Sequence, residues 1–175
     1  MALHAVHTLY YADGSGSQSA SGHIALVTVV EHDGRQVGIA NTHLKWDPSG
    51  TPPAEQFGLR QVRELLDARA ELAPGCSSWI ICGDLNATAE SQVVQLLQEA
   101  GFRDAYAAHP QAFTCNANRK SKRIDYLFHS NDLLAGPADL PMIGDDTPLP
   151  SAEHPSDHLA ISARFNWVPA GLPRR

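Results

Sequence analysis

The chain has 175 residues, 43% of them apolar and 18% charged, with a net charge of −6. That length supports one domain burying roughly 70% of its unfolded surface, and no apolar run approaches the ~20 residues of a membrane span. The acidic balance argues against bulk duplex DNA as a ligand, because such binding draws on a basic footprint.

Residues 1–22 are expected to be irregular, apart from a short strand at Leu9-Tyr10-Tyr11 and a Gly/Ser-rich loop from Asp13 to Gly22. His23 to Glu31 is β-branched and apolar and predicts a strand; Asp33-Gly34 marks a hairpin turn, and Gln36 to Thr42 the return strand. From Glu55 to Ala73, Leu59, Val62, Leu65, Leu66 and Leu72 recur at helical spacing, and Pro74-Gly75 ends the helix. Ser78 to Cys82 predicts a strand and Ser91 to Ala100 a helix closed by Gly101. Arg123 to His129, Leu140 to Ile143 and Leu159 to Phe165 are the remaining expected strands, and 169–175 a tail. A hairpin followed by helices alternating with strands indicates one mixed α/β layered domain over 1–175.

Three cysteines (Cys76, Cys82, Cys115) form no C-x-x-C pair, which argues against a disulfide framework and a structural zinc site. No secretory signal is visible, so the default expectation is cytoplasmic.

The polar residues that stand out sit at or near strand ends, where a rigid sheet holds side chains near solvent. Asn41-Thr42-His43 ends one strand, Asp84 and Asn86 follow the next, Asp125 lies within "RIDYLF", and Ser156-Asp157-His158 precedes the last. In extended chain Asp84 and Asn86 project together while Leu85 turns inward. Two hard oxygen donors on one side suit Mg²⁺ or Mn²⁺ and its waters, and an ionised Asp can take a proton from a water. The same tripeptide also reads as an Asx turn or a helix N-cap. An imidazole at His158 needs a second carboxylate to set its tautomer, and Asp125 is the candidate; the alternative partner for Asp125 is Arg123 or a neighbouring lysine. The basic run Arg119-Lys120-Ser121-Lys122-Arg123 reads equally as a solvated loop.

Taken in order, "NTHL", "GDLN", "KRIDYLF" and "HPSDHLAI" resemble the endonuclease/exonuclease/phosphatase superfamily, over roughly His23 to Phe165. The text around "VVEHDGRQVGIANTHLKWDP" and "LPSAEHPSDHLAIS" is most similar to its deadenylase, nocturnin and Angel branch. The resemblance implies an α/β (α+β) fold, a DNase I-like layered β-sandwich with flanking helices, N-terminally truncated. It implies metal-dependent hydrolysis of a phosphoester: a nuclease, phosphodiesterase or phosphatase acting on RNA ends, nucleotides or small phosphates. The catalytic set would be His43, Asp84, Asn86, Asp125 and His158. Asp84 would sit beside the attacking water, Asn86 would hold that water or the phosphate, and His158, oriented by Asp125, would contact a phosphate oxygen. His43 would bind the phosphate or assist the leaving group. Asp157, Asp84 and Asn86 would serve Mg²⁺ (or Mn²⁺), and Asn116, Asn118 and Arg123 the substrate.

The chain departs from the family pattern in lacking the early strand with an Asn and the following Glu metal ligand. Glu31, Glu55 and Glu153 are not at that position. One sheet layer and part of a second are then expected, with an apolar face left open. A longer gene product, a homodimer or partner chain completing the sandwich, or a compact variant relying on Asp84, Asn86 and Asp157 would each account for this. The competing function is a catalytically weak or inactive relative that binds phosphate ligands or a protein partner.

Overall fold

The computed structural model describes residues 1–17 and 19–169. Its strands are β1 (Ala2–Tyr10), β2 (Ile24–His32), β3 (Arg35–Thr42), β4 (Ser78–Asp84), β5 (Phe102–Asp104), β6 (Cys115–Ala117), β7 (Lys120–Lys122), β8 (Asp125–Ser130), β9 (Leu133–Pro137) and β10 (Ala163–Trp167); its α-helices are α1 (Phe57–Leu72) and α2 (Gln92–Glu99). Six strands form one sheet in the order β1-β2-β3-β4-β8-β5, while β10-β9 and β6-β7 form two-stranded ribbons. Only β3 and β4 pair in parallel within the large sheet, and α1 makes the crossover between them.

Local chemistry explains the elements. Asp33 and Gly34 both take positive φ, 53° and 72°, as a two-residue primed hairpin turn requires. The N-terminus of α1 is held by Asp47, whose two carboxylate oxygens accept from the Phe57 and Gly58 N–H groups at 2.9 and 3.0 Å. The Ser91 hydroxyl accepts from Val94 N–H and caps α2. Buried Asp13 accepts from the Ser21 N–H and hydroxyl and from Gln61, tying the Gly/Ser-rich loop to α1.

Cross-strand register sorts the sheet into two faces. Ala25, Val27, Val29, Ala40, Trp79, Ile81, Tyr126 and Phe128 bury one face against Leu59, Val62 and Leu65 of α1 and Val93, Val94 and Leu97 of α2. The opposite face is covered at one end by the β9–β10 ribbon, where Val30, Val37 and Leu133 pack with Ile39, Ile80 and Trp167. Beyond the ribbon, Val6, Tyr10, Ile24 and Leu26 remain exposed on it. The second layer is therefore partial, as the resemblance implies.

Three expectations are corrected. Residues 2–10 are a nine-residue strand, because alternate residues Ala5, His7 and Leu9 turn inward against β2. Leu140–Ile143 is not a strand; β9 lies earlier, at Leu133–Pro137. The last strand begins at Ala163, because Leu159 is engaged elsewhere, donating its N–H to the Thr114 carbonyl. The three-residue strands β5, β6 and β7 are too short to show a period. The expected tail, 169–175, falls outside the described residues beyond Pro169.

Gly83 has φ 123°, and a Cβ there would lie 1.9 Å from the Thr42 carbonyl oxygen. This close approach joins the ends of β3 and β4. Gly83→Ala is expected to cost about 1–3 kcal/mol, read as a lower urea midpoint; an unchanged midpoint would contradict this account.

Candidate active site

The β4–β8 pairing sets Asp84 directly opposite Asp125, so both carboxylates project from the partly uncovered face at one end of the sheet. His158 arrives from the segment before β10. Its Nδ1 lies 2.9 Å from Asp125 Oδ2 and 3.2 Å from Oδ1, and its Nε2 is 3.9 Å from Asp84 Oδ2. With Nδ1–H donated to Asp125, Nε2 is turned toward Asp84 and the opening. His43, just past β3, has Nε2 3.4 Å from the same Asp84 oxygen and a side chain 66% exposed.

Asp84 and Asn86 meet this group by a different route from the extended pleat expected. β4 ends at Asp84, and Asn86 takes φ 49°. Asp84 Oδ1 accepts the Asn86 N–H at 2.8 Å, which is an Asx turn. The turn still directs Asn86 into the cluster, where Nδ2 donates to the Leu44 carbonyl at 2.9 Å and lies 3.0 Å from His43 Nε2. Leu85 is buried, as the pattern requires. Turn and site are one feature here.

Sequence reasoning missed Thr114. Its hydroxyl donates to Asp125 Oδ2 at 2.6 Å and accepts from the Ile124 and Asp125 N–H groups at 3.2 Å, fixing the carboxylate that fixes His158. A lone threonine in irregular sequence carries no signal of this. His23, edge-on to His43 at 5.9 Å between ring centroids, was also not singled out.

The remaining expected site residues are placed differently. Arg123 pairs with Asp104 and lies over the Tyr126 ring, so neither Asp125 nor the cluster receives its charge. Asn116 is buried, and its amide donates to the carbonyls of Gly144, Asp145 and Thr147. Asn118 lies exposed in the β6–β7 turn at φ 55°. Asp157 is exposed beside His158, with its carbonyl accepting the Asn116 N–H.

Burial holds the Asp84 carboxyl above the usual carboxylate range; the Asn86 N–H opposes this, the Asp125 charge adds to it, and His43 and His158 oppose it. Two facing carboxylates at partial burial are a natural seat for a divalent cation, which would relieve their repulsion. Among the described residues, two groups have metal-ligand spacing: Asp84, Asp125 and His158, and Cys115, Asp157 and His158; neither contains a glutamate. A cavity of about 520 Å³ opens beside Asn86, walled by exposed Trp46 and by Lys122.

A layered α/β fold with an Asp–His–Asp cluster at one end of its large sheet places the molecule in the DNase I-like class. The chain belongs to the Endonuclease/Exonuclease/phosphatase family, which it matches over residues 7–158. Its curated relatives include members of the deadenylase/nocturnin branch. The CCR4-Not complex 3'-5'-exoribonuclease subunit Ccr4 of Candida albicans is 27% identical, over 81% of this chain and 23% of that protein. Nocturnin of Xenopus laevis is 30% identical, over 77% of this chain and 38% of that protein. The crystal structure of ANGEL2, a 2',3'-cyclic phosphatase, in complex with adenosine-2',3'-vanadate matches with a TM-score of 0.70 at 18% identity, covering 94% of this chain and 67% of that one. The chain thus spans 23% and 38% of the length of these two curated relatives.

Because the folded state favours protonated Asp84, that contribution to stability is present below pH 3.8 and lost as pH rises through the raised value. Asp84→Asn is therefore expected to melt above the wild type at pH 7, with the gap closing below pH 3.8. A variant melting at or below wild type at pH 7 would contradict the strained-carboxylate account.

Proposed function

We propose that the protein hydrolyses phosphoesters in a Mg²⁺- or Mn²⁺-dependent reaction at the cluster of Asp84, Asn86, His43, Asp125 and His158. The observation that carries this reading is the Thr114–Asp125–His158 chain ending opposite Asp84. The cation, when bound, supplies positive charge against the phosphoryl oxygens. Asp84, with Asp125 facing it, would hold it through oxygen, with water filling other positions, since Mg²⁺ takes few protein carboxylates and keeps several waters; Asp157 falls in the separate grouping with Cys115.

The residues themselves divide the work by chemistry. Asp84 accepts a proton from the attacking water, its carboxylate fixed by the Asn86 N–H at the mouth of the cluster. Asn86, locked by its turn, orients that water. Asp125 holds His158 in the tautomer that aims Nε2 at a phosphate oxygen, and donors fixed before the reaction stabilise charge as it develops there. His43 contacts the phosphate or the leaving oxygen.

The substrate we infer is a single-stranded RNA end or a nucleotide. The supporting observation is the adjoining cavity, where an exposed indole and a lysine stand beside Asn86. Aromatic faces stack on any base, and a cation tracks the backbone. Arg123 is spent on Asp104, while Lys122, from the same basic run, lines this cavity. A cytoplasmic setting is consistent with this substrate; no helix among the described residues is long and apolar enough to cross a membrane.

A second reading, a phosphate- or protein-binding relative without turnover, is favoured by the uncovered face with Val6, Tyr10, Ile24 and Leu26 and by the lack of a glutamate in the cluster. On either reading a further segment of a longer gene product, a second copy or a partner chain would close that face and complete the sandwich. Sedimentation equilibrium tests the second copy: a dimer weakened by Leu26→Glu supports it, and a monomer at every concentration excludes it.

With Mg²⁺ and a short oligoribonucleotide, Asp84→Ala and His158→Ala are each expected to lose about 10²–10⁴-fold in kcat. Full activity in both would show the site to be wrong. No turnover together with no Mg²⁺ heat at millimolar concentration would favour the second reading. Trp46→Ala is expected to raise KM about tenfold at similar kcat, since base stacking contributes about 1–3 kcal/mol; an unchanged KM would remove Trp46 from the substrate path.

A further inference from the structure

The sequence spacing of the cysteines argues against zinc, yet the fold assembles a donor set that spacing does not reveal. Cys115 in β6 and His158 form an isolated antiparallel bridge. Its two hydrogen bonds run from Asn116 N–H to the Asp157 carbonyl at 3.0 Å and from Leu159 N–H to the Thr114 carbonyl at 2.7 Å. These two bonds hold residues 157–159 alongside 114–116. The outcome is that Cys115 Sγ, a carboxylate oxygen of Asp157 and a ring nitrogen of His158 lie within 4.8 Å of one another.

The surroundings suit a cation. Cys115 is buried, and Asp157, Asp125 and Asp84 are the carboxylates near it. Carboxylates gathered about a buried thiol attract a divalent metal, which compensates them by replacing the thiol proton. His158 already has the carboxylate support, from Asp125, that metal-binding histidines ordinarily carry. Asp157 is exposed and gives the ion a way in. Sulfur with imidazole and one carboxylate selects zinc over magnesium, which prefers oxygen alone.

We propose that Cys115, Asp157 and His158 form a Zn²⁺ site, and that zinc bound there switches the hydrolytic centre off. The thiol proton leaves to solvent as the zinc–sulfur bond forms, with no change of oxidation state, and water fills the open position. Nδ1 of His158 lies against Asp125 and Nε2 faces Asp84, so zinc on either nitrogen withdraws the ring from the phosphate. The inhibitory half of this inference rests on the hydrolytic reading above; the binding half does not.

The test uses the full chain with Co²⁺ as a spectroscopic probe. Wild type is expected to bind one Co²⁺ with a thiolate-to-cobalt charge-transfer band that Zn²⁺ abolishes. Cys115→Ser should lose the band, Cys76→Ser and Cys82→Ser should keep it, and Asp157→Asn, altered at an exposed side chain, should weaken cobalt affinity about tenfold or more. Under Mg²⁺ turnover, Cys115→Ser should raise the half-inhibitory Zn²⁺ concentration about tenfold or more. No band in wild type, or a band undiminished in Cys115→Ser and Asp157→Asn, overturns the site. Equal zinc inhibition of wild type and Cys115→Ser overturns the switch. If no form hydrolyses any ester, the cobalt titration still decides the site, because it needs no turnover.

Discussion

The candidate site depends on one pairing: Asp84 on β4 opposite Asp125 on β8. Like charges directly opposite across two strands are destabilising, so an ordinary sheet would avoid this register. Here each carboxylate has its own means of compensation. Asp125 is bound by Thr114 and His158, and Asp84 by the Asn86 N–H with His43 and His158 nearby. The compensation is incomplete at Asp84, whose pKa stays raised. A sheet that retains such an imbalance at its open end is prepared for a cation or a proton to arrive.

The backbone makes this geometry reproducible. The Leu44 N–H donates to the Asp84 carbonyl, and the Leu85 N–H to the Ile124 carbonyl, both at 2.8 Å. These bonds tie the ends of β3, β4 and β8 together just where the side chains diverge. Gly83 allows the approach, since any side chain there would strike the Thr42 carbonyl. The helices contribute at a distance, by burying the far face and leaving the site-bearing face free.

The sequence made local features legible and long-range ones less so. The β2–β3 hairpin, α1, α2 and the apolar strand before Asp84 announce themselves through turn residues, helical spacing and caps. Asp84 and Asn86 stand out because a carboxylate and an amide end an apolar run. How they converge was not legible: the Asx turn is local, but the Leu44 carbonyl and His43 that receive the Asn86 side chain lie some forty residues earlier. The partner of Asp125 followed the same rule. Arg123 was the near neighbour in sequence, but it sits between β7 and β8 and pairs with Asp104, which leaves Asp125 to Thr114 and His158. β1 was obscured because His4, His7 and Thr8 interrupt its apolar residues, and only pairing with β2 makes it a strand. The Cys115–Asp157–His158 grouping was invisible for the same reason, as it exists only through a bridge between segments some forty residues apart.

The central claim is that this cluster activates water against a phosphoester, with Asp125 acting through His158. The most direct measurement is hydrolysis of a short oligoribonucleotide with Mg²⁺ in ¹⁸O-labelled water, followed by ³¹P NMR for wild type and Asp125→Asn. The account predicts one solvent oxygen in each phosphate product of the wild type, and a rate in Asp125→Asn lowered by about 10²-fold or more. Product without solvent oxygen, or an Asp125→Asn variant as fast as wild type, would contradict it.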